Sequence, residues 1–226
     1  MEKVQFKDLK NIEYKEAWDF QETLFKEVIQ AKLDKKPKGG YLLFCEYPHV
    51  FTLGKSGEED NFLIHKEFLE QINATYFQTN RGGDITYHGP GQIVGYPIID
   101  LDQFGVALKD YIYKLEDAII KTLAEYGILG HHNTEATGVW LDIDVSGKTR
   151  KICAIGVKAS RFVTMHGFAL NVNTNLNYFT YINPCGFKDK GVTSMEKELG
   201  YKLNFDEVKE KVRNNLAQVF GMELVG

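Results

Sequence analysis

The sequence predicts an α+β fold, with helices packed on a mixed or largely antiparallel sheet. Three observations carry this expectation. Three stretches place apolar residues at helical spacing, and several short apolar runs bounded by Gly or Pro read as strands. From 138 to 172 the strand-like runs follow one another with no helix between them, which is not the regular alternation of a doubly wound sheet. The length of 226 residues suits a single domain over 1–226.

The first helix is predicted over about 13–32, where Tyr14, Ala17, Trp18, Leu24, Phe25 and Val28 fall near one face. Lys35-Lys36-Pro37-Lys38-Gly39-Gly40 then reads as a turn, too short to separate domains. Strands are expected at 41–45, 50–53, 93–99, 138–143, 152–158 and 167–172. A second helix is predicted over about 108–126, with Ile112, Leu115, Ile119 and Leu123 on one side and Gly127 as its C-cap. The third starts near Asn204, whose spacing to Glu207 resembles a capping box, and runs to about 220. Val208, Val212, Leu216 and Val219 form its stripe, and all three stripes read as core packing.

Hydrophobic residues make up 43% and charged residues 26%, which excludes disorder, collagen and coiled coil as the main state. The net charge of −4 argues against a protein that lives on nonspecific phosphate contacts, so no nucleic-acid partner is expected. No apolar run approaches the roughly 20 residues that span a bilayer. The N-terminus mixes charges and lacks a signal-peptide core, so no membrane association and a cytoplasmic location are expected. Cys45, Cys153 and Cys185 are an odd, scattered set with no CxxC, against both a disulfide framework and structural zinc.

Several motifs are decoys. Gly54-Lys55-Ser56 ends like a P-loop, but His49 stands where that motif needs Gly. Gly89, Gly91 and Gly95 are spaced GxGxxxG, and a strand-like run follows where a dinucleotide site needs a helix. His131-His132 reads as a solvated loop pair, and neither HExxH nor GxSxG occurs. No metal and no cofactor is expected.

Three segments are not explained by packing. Arg81-Gly82-Gly83-Asp84-Ile85-Thr86-Tyr87-His88-Gly89-Pro90-Gly91-Gln92 concentrates glycines among polar side chains. Such density implies close backbone approach, and its N–H groups suit a cradle or oxyanion hole. Lys151-Ile152-Cys153-Ala154-Ile155-Gly156-Val157-Lys158 places Lys151 at the mouth of a buried strand. Partial desolvation there would lower its pKa and make it a proton acceptor; read alone, an exposed strand-end lysine is the plainer account. His166-Gly167-Phe168-Ala169-Leu170-Asn171-Val172-Asn173 is followed by Tyr181-Ile182-Asn183-Pro184-Cys185-Gly186. Cys185, between Pro and Gly, reads as loop chemistry, while Cys45 and Cys153 inside apolar strands read as structural. A thiol with pKa near 8.5 is only about 3% ionised at pH 7, so Cys185 needs a basic or cationic neighbour. Lys151, His88 and His166 are the candidates.

These segments, taken in order with Glu46-Tyr47-Pro48-His49-Val50-Phe51-Thr52-Leu53-Gly54, closely resemble the lipoyl(octanoyl) transferases, octanoyl-carrier-protein:protein N-octanoyltransferases. The resemblance runs from about 41 to 195. Phe168 stands where Leu is commoner, and Asp84 fills a variable position. The resemblance implies a biotin/lipoate-protein-ligase-like catalytic domain, which agrees with the α+β reading. It implies Cys185 as acyl-thioester nucleophile and Lys151 as its activating partner. It implies a substrate site from Arg81, Gly82, Gly83, Asp84, Ile85, Thr86, Tyr87, His88, Ala154, Ile155, Gly156, Gly167, Phe168 and Ala169. His88 is expected close to the acyl chain, and His166 as a hydrogen-bonded structural residue.

The implied donor is octanoyl-acyl carrier protein. The implied acceptors are lysines of lipoyl domains of 2-oxoacid dehydrogenase E2 subunits and of glycine-cleavage H protein, in lipoate biosynthesis and protein lipoylation. Lys148, Arg150, Lys151, Lys158 and Arg161 have no acid among them and are expected in part to rim the partner face. The rivals are an ATP-dependent lipoate or biotin ligase of the same fold, a noncatalytic acyl-binding module and a thioesterase.

Overall fold

The computed structural model describes residues 1–36, 38–183 and 190–226. It begins with β1 (Glu2–Asn11) and α1 (Tyr14–Leu33), then β2 (Tyr41–Glu46), β3 (Val50–Leu53), β4 (Thr75–Gln78), β5 (Ile85–His88) and β6 (Gln92–Ile98). Next come α2 (Leu108–Ala124), β7 (Val139–Leu141), β8 (Arg150–Ser160) and β9 (Val163–Asn171). β10 (Gly191–Val192), α3 (Met195–Leu199), α4 (Phe205–Phe220) and β11 (Met222–Val225) follow. All three predicted helices and all six predicted strands are present, with ends shifted by a few residues. β1, β4, β5, β10 and β11 were not anticipated.

The main sheet runs β10-β8-β9-β6-β2-β1-β11, with β7 pairing β8. It is mixed: β1 lies parallel to β2 and β11, whereas β2–β6, β6–β9, β8–β9 and β7–β8 are antiparallel. A smaller sheet, β4-β3-β5, stands beside it. Side chains alternate across a strand, so each central strand feeds two layers. Leu42, Phe44, Ile93, Phe168 and Leu170 point into a core with α2 and α4. Leu43, Val94, Tyr96, Ile98, Met165 and Ala169 point to the other face, under α1. Covering on both faces explains why β6 and β9 are buried along their whole length.

The helices bury the stripes the spacing predicted, with three changes, the first on α2, where Tyr111 is fully buried and Ile112 only partly. On α1, Gln21 is fully buried and Trp18 only partly; on α4, Phe220 rather than Val219 completes the buried row. Each fully buried Leu, Val or Phe contributes about 1.5–3 kcal/mol relative to exposure. The Asn204 side chain accepts from the Glu207 N–H at 3.2 Å, which satisfies one of the N–H groups that the helix start leaves open. α2 ends at Ala124, and Gly127, at φ 74°, lies in the turn beyond it rather than capping it directly. Among the described residues, no helix is long and apolar enough to cross a membrane.

Candidate active site

On the α1 side of the sheet, β5, β6, β8 and β9 enclose a cavity of about 310 Å³. Alternation divides its motif residues into two groups. Ala154, Gly156, Gly167 and Ala169 lie on the cavity face of β8 and β9 and, with Val94, make a floor of small side chains. Ile155 and Phe168 alternate to the opposite face and pack into the α2/α4 core, while both also border the cavity. Gly95 explains how Phe168 fits: a Cβ there would meet the Phe168 ring at 2.3 Å.

Two irregularities aim polar side chains at this floor. Between β7 and β8, Val139 pairs with Cys153 but Trp140 pairs with Lys151, so Ile152 is an extra residue, a β-bulge. Ile152 and Cys153 consequently both enter the core, and Lys151 is turned to the cavity face beside Trp140. Strict alternation would have put Lys151 on the side of Cys153. On β9, His166 adopts φ 60°, a left-handed conformation uncommon for a non-glycine residue. Its ring reaches Asn80, with Nε2 to Oδ1 at 2.7 Å, and lies near Trp18 and Tyr96 on the α1 side.

The inner wall is polar and buried. His88 is buried, lies parallel to the Tyr14 ring, and places Nδ1 2.8 Å from Gln92 Oε1. Gln92 in turn donates through Nε2 to Asn171 Oδ1 at 2.8 Å, and Asn171 donates to the Thr193 carbonyl. Burial, with the nearby Arg81 charge, pushes the His88 pKa down to about 4 and the His166 pKa down to about 3. Both imidazoles are therefore neutral near pH 7. His88 donates from Nδ1 to the Gln92 carbonyl oxygen and keeps Nε2 as an acceptor. Arg81 is buried and donates to the Thr52 carbonyl at 2.6 Å and to its hydroxyl at 2.8 Å, so it also ties β5's loop to β3.

The glycine-rich segment lines the cavity and also packs closely against neighbouring backbone. Its second half, Ile85–His88, is strand β5. Gly82 donates to the Val157 carbonyl at 2.9 Å and does not line the cavity. A Cβ on Gly54 would lie 2.1 Å from the Gly83 carbonyl, and one on Gly156 2.8 Å from that of Gly82. Within the segment, a Cβ on Gly91 would meet the Asn173 backbone, whereas one on Gly89 or Gly95 would meet the Tyr87 side chain or the Phe168 ring. Tyr87 also faces away, buried against Phe51, Leu53 and Ile182, with its hydroxyl 2.7 Å from His49 Nδ1. Arg81, Gly83, Asp84, Ile85, Thr86 and His88 do line the cavity. Asp84 is held by the Asn61 side-chain amide at 2.7 Å and by the Ile85 N–H at 2.6 Å.

At the mouth, Lys151 Nζ lies 4.6 Å from the centre of the Trp140 ring, and Lys190 Nζ lies 5.6 Å from the same ring. Lys190 also pairs with Glu135 at 2.9 Å. Tyr14, Tyr96, Trp140, Asn171 and Lys190 line the cavity without having been singled out as site residues in the sequence. Tyr14 carried only a helical-stripe signal. Cys185, with Pro184 and Gly186, lies outside the described residues. The other two thiols are buried; burial pushes Cys45 up to about 12 and raises Cys153 strongly.

The basic stretch is partly neutralised within the chain. Arg150 donates to both Glu198 oxygens, at 2.7 and 2.6 Å, and to Asp142, and Lys158 pairs with Glu22 at 3.4 Å. Arg161 is exposed. His132 is not a merely solvated loop residue, because Glu116 and Asp117 engage both its nitrogens. Among the described residues, no group of three or more His, Cys, Asp or Glu could hold a metal ion.

Comparison with known proteins adds to this geometry. The family model of the lipoyl protein ligase A/B catalytic domain matches residues 13–217. An octanoyltransferase of Christiangramia forsetii is 52% identical over 228 residues, covering 98% of this chain and 97% of its own. One from Parabacteroides distasonis is 50% identical over 220 residues, covering 97% of this chain and 100% of its own. Among solved structures, a bipartite lipoate protein ligase from Thermoplasma acidophilum superposes with a TM-score of 0.71 at 14% identity, covering 100% of this chain and 86% of that one. A lipoate-protein ligase A bound with ATP gives 0.70 at 12% identity, covering 100% and 90%. At such identities these structures speak for the fold alone, and the expected ligase-like α+β architecture is the one found.

Proposed function

The chain belongs to the lipoyl protein ligase A/B catalytic-domain family, with octanoyltransferases as half-identical relatives, and we propose that it moves an octanoyl group from octanoyl-acyl carrier protein to a lipoyl-domain lysine. The observation that carries this reading is a lysine turned by a bulge onto a small-residue floor. A cavity of about 310 Å³ lies at the small end of ligand pockets, as a single acyl chain requires. Burying seven methyl and methylene groups contributes about 5–6 kcal/mol at roughly 0.8 kcal/mol each.

In this mechanism Cys185 attacks the donor thioester, and Lys151 accepts the thiol proton. The tetrahedral adduct collapses with loss of the phosphopantetheine thiol, which regains a proton, and an octanoyl thioester remains on Cys185. The acceptor lysine amine then attacks, Lys151 takes up its proton, and an amide forms as the Cys185 thiol is released. Thioester exchange is nearly isoenergetic and amide formation is downhill. Lys190, five residues after Cys185 in sequence, stands at the cavity mouth, which supports the pairing of that segment with Lys151. Neutral His88 and His166 suit an acyl slot because neither brings a charge to it. The acceptors are lipoyl domains of 2-oxoacid dehydrogenase E2 subunits and glycine-cleavage H protein, in the cytoplasm.

Intact-protein mass spectrometry after mixing with octanoyl-acyl carrier protein tests this. The expected result is one octanoyl adduct on the wild type and none on Cys185→Ser, with Lys151→Ala at least about a hundredfold slower. An unmodified wild-type chain would sink the proposal. Modification of apo-acceptor from free octanoate and ATP would instead favour a ligase, and release of octanoate at full rate without acceptor a thioesterase.

A further inference from the structure

The geometry points to Glu116 as a positioning residue that holds the Lys151–Trp140 pair in place through the backbone of Gly138. This rests on the reading of Lys151 as the group that handles the proton. Glu116 sits within α2, between residues that face the core, and its side chain is 4% exposed. A carboxylate so buried is costly unless its oxygens are paired. One oxygen accepts from the Gly138 N–H at 2.8 Å, and the other lies 2.6 Å from His132 Nδ1. His132 Nε2 is 2.9 Å from Asp117, and the Tyr113 ring packs against the imidazole at 5.2 Å. Partial burial lowers the His132 pKa, but the two carboxylates outweigh it and the balance is upward.

Gly138 is where this strut meets the active site. Its φ of 124° is a conformation that side-chain-bearing residues rarely adopt. A Cβ there would lie 2.5 Å from the Cys153 carbonyl and 3.4 Å from Lys151 Cε. The lysine stem therefore fills the space a side chain at 138 would enter. The loop around it closes on itself: His131 and Trp140 exchange backbone hydrogen bonds at 2.8 and 3.0 Å, and Trp140 Nε1 donates to the Ala136 carbonyl at 2.8 Å. Glu116 joins that closed loop to α2. Moving Gly138 would shift both the surface beside the Lys151 stem and the ring beneath its ammonium. A buried ion pair is weak evidence for stability, whereas a directed carboxylate can fix a backbone position.

Trp18 and Trp140 are the chain's two tryptophans, so a Trp18→Phe background leaves Trp140 as the reporter. Acrylamide quenching of Trp140 and steady-state transfer kinetics are measured for Glu116→Ala and Glu116→Gln in that background. For Glu116→Ala the expected result is quenching at least about doubled, kcat down about tenfold or more, and donor KM within about twofold. Glu116→Gln keeps an acceptor for the Gly138 N–H and is expected to recover part of both effects. Unchanged Trp140 quenching in both variants, or wild-type kcat in Glu116→Ala, overturns the proposal; so does a KM that rises as kcat falls. If Glu116→Ala does not fold, an intermediate rise in quenching for Glu116→Gln supports the proposal and no rise overturns it. If the unsubstituted enzyme transfers no octanoyl group, the functional reading falls, and Trp140 quenching alone still decides whether Glu116 holds this loop.

Discussion

The two faces of the β8–β9 hairpin are built by opposite rules. On the α2/α4 side, Cys153, Ile155, Phe168 and Leu170 follow plain alternation into a closed apolar core. On the α1 side, the row is thinned to alanine and glycine, and the polar groups reach it through a bulge at Ile152 and a left-handed His166. Regular pairing suffices to make a core, because any well-filled apolar surface is acceptable there. Aiming a particular amine or imidazole needs a departure from regularity, and such departures collect at functional sites. A contiguous motif such as Gly167-Phe168-Ala169 is thus half architecture and half site.

The contrast breaks most visibly on adjacent residues of β9. Phe168→Ala is expected to cost about 3–5 kcal/mol in urea unfolding, with the relative use of C6, C8 and C10 donors unchanged. Ala169→Leu is expected to cost less, about 1–3 kcal/mol, yet lower kcat/KM for the octanoyl donor at least about tenfold, because its added methyl groups would occupy the proposed acyl space. Chain-length selectivity that tracked Phe168 and ignored Ala169 would reverse the assignment of faces.

A smaller effect comes from acid. His88 and His166 titrate well below an unfolded histidine, near 6.5. The unfolded chain therefore binds more protons below that value, and their contribution to stability is present above pH 6.5 and lost as pH falls toward about 4 for His88 and about 3 for His166. Denaturation midpoints at pH 7 and pH 5 should differ less in His88→Gln than in the wild type. Equal differences would show that His88 does not carry the acid sensitivity.

The smallest effect concerns the basic stretch. Arg150 already faces Glu198 and Asp142, so Arg150→Gln should lower stability by about 1 kcal/mol and leave donor KM within about twofold. Exposed Arg161→Glu should raise donor KM a few-fold at low salt and much less at high salt. Identical KM values for both variants at low salt would remove this edge from the partner surface.

The helices were legible because a 3.6-residue period survives in any amphipathic segment, and β2 and β6 because both their faces are buried. β1 was missed because most of its side chains are partly or wholly exposed, with Val4 alone fully inside. β5 was hidden by the glycines on either side of it, which lie in the bends and the turn that flank this short strand. Lys151 was legible as a residue type within a motif, but its direction was not. That direction depends on Ile152 lacking a partner across β7, a property of pairing between distant segments. Glu116 gave no local signal either, since an acidic residue in a helix ordinarily marks an exposed face.

Cys45 and Cys153, sealed inside the two layers with their thiols held protonated, are poor targets for alkylating reagents while the fold is intact. The native chain is in that sense chemically quiet at two of its three thiols. Maleimide added without denaturant should therefore spare both Cys45 and Cys153, so that any label the native chain takes up falls to its remaining cysteine.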